Sequence, residues 1–152
     1  MKVTVLLRND HEALTALLNI FKRPSSARAS NGRKDLFDGI HREIRIHSQM
    51  KREIFYSALS ASSSTEIAAL VGRAEQQLES IEKNLRQLSG MNVSEKSFES
   101  MMTSVIDDVT RHFELDEEEI FDEARKILPE YRLEELGLEL EDRKKILATL
   151  AA

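Results

Sequence analysis

Apolar residues recur at spacings of three and four along most of the chain, a period that predicts helices rather than strands. Four long segments follow, at about 3–22, 36–59, 66–88 and 95–128. In the first, Leu7, Leu14, Leu18 and Phe21 share one stripe with His11, and in the second Ile40, Ile44, Ile54 and Ala58 share one with His47. The third carries Ile67, Leu70 or Val71, Ala74, Leu78, Ile81, Leu85 and Leu88. The fourth aligns Phe98, Met102, Val105, Val109, His112, Asp116, Ile120 and Ile127. Breaks separate them: a loop over residues 23–32 opened by Pro24 and holding an Asn31-Gly32 turn, a polar run over residues 60–65, a Ser89-Gly90 C-terminal closure, and Pro129. A fifth amphipathic segment, about 132–150 and broken near Gly137, offers Leu136, Leu140, Ile146, Leu147 and Leu150 for packing. The pattern predicts an all-α, antiparallel up-and-down four-helix bundle with a short C-terminal helical segment, one domain over residues 1–152.

Composition supports that reading and narrows the chemistry. Charged residues are 32%, aromatics 5%, Gly and Pro scarce and Trp absent, a mixture that suits a bundle better than a sandwich or barrel. The formal charge of −5 speaks against general nucleic-acid affinity. Lys22, Arg23, Arg28, Arg33 and Lys34 cluster in and beside one loop with no aromatics interleaved, which reads as a solvated loop. Without cysteine, any metal must be held by imidazole and carboxylate. The N-terminal apolar run is too short for a signal peptide and no segment is of membrane-spanning length, so a soluble, cytoplasmic protein is expected.

The polar positions inside the apolar stripes carry the functional signal. His112 and Asp116, four residues apart, stack on one helical face and can bite one cation between that helix and its neighbours. Asp116 lies in the acidic run 114–119, from which only its register with His112 singles it out; Glu117 is the fallback ligand. His11, His47 and His112 each lie near mid-helix on an inward stripe, where a bundle lets them converge at one level. These four residues are the candidate ligands. His41 turns away from that face and is expected at the surface. One position breaks the grammar: four residues after His47, where a second carboxylate would repeat the pattern, stands Lys51.

Three motifs, Asn9-Asp10-His11-Glu12, IHSQMKREIFYSAL at 46–59 and RHFELDEEEIFDEARKIL at 111–128, together with the tail from Arg132, resemble the hemerythrin-like, HHE cation-binding family in order and spacing. The resemblance implies two irons bridged by oxygen and carboxylates, with His11, His47, His112 and Asp116 as ligands. Two further family ligands fall on Lys51 and Leu78, and two helix-end prolines on Ser57 and Asp122. The expected function is therefore an iron or other divalent metal held in the core, with a role in sensing, carrying or buffering iron, dioxygen or nitric oxide. The alternative is a metal-free bundle in which Lys51 pairs with Asp116 and the protein serves as a structural or partner-binding module. A histidine phosphotransfer role resting on His41 ranks below both. No phosphate loop or nucleophile motif is present, so no enzymatic activity is expected.

Overall fold

Helix α1, Val3–Lys22, buries Val3, Leu7, His11, Leu14, Leu18 and Phe21 along one stripe, as their spacing requires. The computed structural model describes residues 1–23 and 30–151. Helix α2 opens as Ser30–Met50, passes through a π turn at Lys51–Tyr56 and closes with Ser57–Ser60. Helix α3 is Thr65–Ser89. Its start is set by Ser64, whose Oγ accepts the Ile67 amide at 3.2 Å, a cap that contributes about 1 kcal/mol. Helix α4 runs as Lys96–Leu115, a second π turn at Asp116–Ile120, and Phe121–Ile127. Helix α5 is Glu130–Ala151.

The boundaries depart from the sequence reading in two places, each for a tertiary reason. α2 begins six residues earlier than expected, because Arg33 packs where a solvated side chain was anticipated. Its guanidinium lies 3.9 Å from the Phe21 ring and donates to the Phe21 carbonyl at 3.2 Å, closing the end of α1. Pro24 and Arg28 fall outside the described residues. α5 is unbroken at Gly137, where the missing side chain serves close packing: an added Cβ would stand 2.0 Å from the Met1 carbonyl oxygen. Gly90 closes α3 at φ −93, so no left-handed cap is used.

The two π turns change the register of the residues beyond them. A π turn inserts one residue and rotates the downstream face by about 100°. Phe55, Tyr56 and Leu59 are therefore buried in place of Ile54 and Ala58, and Phe121 and Ala124 in place of Ile127, the displaced residues being half-buried.

α1 packs on α2, α4 and α5, α3 on α2 and α4, and α5 on α2. The apolar core forms two clusters. One gathers Leu7, Met50, Phe55, Leu59, Leu78, Phe121 and the inner leucines of α5; the other gathers Leu14, Phe21, Ile44, Leu85, Phe98 and Phe113. Along α1, His11 falls between Leu7 and Leu14, and along α2, His47 and Lys51 flank Met50, so a polar layer lies where the clusters meet. Among the described residues no helix is long and apolar enough to cross a membrane.

Candidate metal centre

Lys51 opens the π turn of α2 and is 0% exposed. Its Nζ lies 2.6 Å from Asp116 Oδ2 and 2.8 Å from His112 Nε2. Asp116 opens the π turn of α4, and its other oxygen, Oδ1, accepts the Tyr56 hydroxyl. On the far side of the imidazole, His112 Nδ1 donates to Gln77 Oε1 on α3 at 2.9 Å. That bond fixes the tautomer, since a proton on Nδ1 leaves Nε2 with the lone pair that receives the ammonium. Gln77, His112, Lys51, Asp116 and Tyr56 thus form one hydrogen-bonded chain across three helices.

The charges follow from this geometry. Burial works to raise the Asp116 carboxyl, but the Lys51 ammonium, with His11 and His112 beside it, holds it well below the usual carboxylate range. Burial lowers Lys51 below its ordinary value, against the pull of the Asp116 carboxylate 2.6 Å away. His112 is pushed well below its ordinary value by burial and the adjacent ammonium. The Tyr56 phenol is raised well above its own by burial and Asp116, so it stays a donor.

His11 and His47 complete the layer differently. His11 Nδ1 faces Glu117 Oε2 at 3.0 Å and His47 Nδ1 faces Asp10 Oδ2 at 3.3 Å. His11 stacks on Phe113 with centroids 3.9 Å apart, and its centroid lies 4.9 Å from that of His47 in an edge-to-face arrangement. His11 Nε2 is 3.5 Å from Asp116 Oδ2 without hydrogen-bond geometry, and among the described residues both Nε2 atoms are buried without a partner. Burial and the Lys51 charge lower His47 to about 3, against the pull of Asp10.

The four predicted ligands therefore meet in one layer, with Lys51 among them. Glu117 instead orients His11 from outside, Leu78 is packed at 2% exposure, and His41 is half-buried beside Phe37 rather than at the surface. Among the described residues, no three His, Asp or Glu side chains are arranged to hold an ion. Tyr56 and Gln77 went unread in the sequence because helical periodicity places neither on the stripe; only the π turn brings Tyr56 inward.

No curated protein and no solved structure matches the chain. The pattern of the hemerythrin HHE cation-binding domain matches residues 3–124, which span the whole layer from His11 to Asp116 and leave α5 outside. Given that match and the convergence of its histidines, the chain belongs to the hemerythrin HHE cation-binding family.

Proposed function

We propose that this chain is an antiparallel, up-and-down hemerythrin-type bundle whose central cation is its own Lys51 ammonium, and that it acts without metal as a non-enzymatic structural or partner-binding module. The up-and-down order is supported by cross-helix pairs that run in opposite directions: Asp10 with His47 and Phe21 with Arg33, then Gln77 with His112 and Arg73 with Glu119.

The observation that carries the reading is Lys51 Nζ within hydrogen-bond distance of both His112 Nε2 and Asp116 Oδ2. These two atoms are the donors an ion would use. A dication about 4 Å from a fixed ammonium meets repulsion on the order of 8 kcal/mol at an effective dielectric constant of 20. Two such ions, with Leu78 in place of an imidazole and no carboxylate at Lys51, do not fit the residues present.

A second reading is favoured by a different observation, the two inward Nε2 atoms of His11 and His47 whose rings are anchored through Nδ1. Outward anchoring of that kind is how metal-bound imidazoles are oriented. In this reading Lys51 swings aside and His11, His47, His112 and Asp116 hold one divalent ion, iron among others, for sensing, carrying or buffering iron, dioxygen or nitric oxide.

Anaerobic loading with Fe(II) followed by elemental analysis separates the two, with a Lys51→Glu/Leu78→His double variant as control. No iron in the wild type and two in the variant is the expected result. One iron per wild-type chain would establish the second reading instead. Melting unchanged by chelator agrees with the first, and a chelator-induced drop overturns it.

A further inference from the structure

Helix α5 lies outside residues 3–124, yet it reaches the buried layer. Lys144 Nζ donates to Asp10 Oδ1 at 2.7 Å, and the other oxygen of that carboxylate faces His47 Nδ1 at 3.3 Å. Under this contact, between α1 and α2, is a cavity of about 200 Å³ lined by Leu14, Met50, Asp10, His47 and Lys144 among others. Two more contacts pin the same helix: Arg143 pairs with Glu53 on the π turn of α2, and Gly137 admits the Met1 backbone.

We propose that α5 is a strap that fixes His47 through Lys144 and Asp10, and that lifting it frees the imidazole to turn within the cavity it already lines. Asp10 is partly buried, and both its oxygens are engaged, one by each partner. Without Lys144, water is the remaining donor for Oδ1, and turning that carboxylate toward solvent takes Oδ2 away from His47. The ring would then have neither nitrogen paired and nothing to hold the proton on Nδ1. This strap acts on the orientation of His47 in the metal-free chain, and both readouts are taken with chelator present.

The test uses the full chain at pH 8, where the His47 imidazole is neutral, and two readouts. Nitrogen-15 NMR of labelled histidine reports the His47 tautomer, and mass spectrometry after diethyl pyrocarbonate treatment reports access to its ring. The wild type is expected to give one Nδ1–H tautomer and slow labelling. Lys144→Met should give averaged tautomer signals and labelling faster by about threefold, the size of change that a half-exposed ion pair makes to a local opening equilibrium. Lys144→Arg should restore both. Arg143→Met, which removes a neighbouring surface pair of α5 but keeps the Lys144–Asp10 contact, should leave the tautomer unchanged. Wild-type behaviour in Lys144→Met would overturn the proposal, as would equal tautomer averaging in Arg143→Met, which would assign the effect to helix packing instead.

Discussion

The buried layer has two halves that differ in how their polar atoms are satisfied. Around Lys51 the accounting closes: ammonium, imidazole, carboxylate, phenol and amide each meet a partner inside the bundle. Around His11 and His47 it stays open on the inner side, because each ring is bonded only outward, to Glu117 or Asp10. The first half is an internal ion pair; the second keeps the ring orientation typical of a metal site. One layer therefore carries two outward-anchored imidazoles beside a buried Lys51–Asp116 pair.

The largest effect should come from opening the closed half. Lys51→Met removes the cation from a carboxylate that is 0% exposed, and an uncompensated buried charge costs about 3–5 kcal/mol. Lys51→Met combined with Asp116→Leu removes both charges and should recover most of that loss, since apolar replacement of a whole buried pair is often neutral or stabilising. Urea denaturation at neutral pH measures both. A double variant as unstable as the single one would mean that the pair is not the source of the loss.

Acid should weaken the molecule next, and here the open half contributes. His47 sits near 3 in the fold against an ordinary value of 6.5, and His112 is also lowered. Below pH 6.5 the unfolded chain binds protons that the folded chain refuses, so stability is full above that pH and falls as pH drops toward 3. The slope is about 1.4 kcal/mol per pH unit for each imidazole. Asp116, held low, adds its own loss only at the acid extreme. Urea midpoints between pH 8 and 5 test this; a flat profile through pH 6 would mean that these imidazoles protonate in the folded state.

Removing one hydroxyl is a smaller step. Tyr56→Phe leaves Asp116 Oδ1 without its donor in a fully buried site and should cost about 2 kcal/mol. Lys51 and His112 remain, so the helical signal should persist while the denaturation midpoint falls.

How much of this was legible before the structure depends on the period of the helix. His11, His47, His112 and Asp116 lie on regular α-helical stretches or at their ends, so spacing alone aligned them. Lys51 stands out as the wrong residue in a repeated pattern, and its pairing with Asp116 was legible only as the alternative to a metal, from the cost of burying either alone. Tyr56, Phe55 and Phe121 lie within or just beyond π turns, and a 3.6-residue period points them away from the core. Gln77 and Asp10 act by hydrogen bonding to imidazole edges, which no periodicity encodes. The early start of α2 depends on Arg33 meeting Phe21, a contact between helices that composition reads as a charged loop.

The smallest expected effect sharpens the contrast most. His47→Leu removes a ring whose inner nitrogen has no partner and whose outer partner, Asp10, keeps Lys144. The loss of one bond to a carboxylate near the surface is offset by the burial of apolar atoms in place of a dry lone pair, so the change should stay within about 1 kcal/mol. His112→Leu, of identical chemistry, strips a partner from both Lys51 and Gln77 and should cost about 2 kcal/mol or more. The two variants differ only in which half of the layer they enter, and unfolding with chelator present keeps adventitious metal out of the comparison. Equal losses would mean that the inner face of His47 is occupied after all and that the two halves are equivalent. A large gap would mean that Lys51 alone organises the centre.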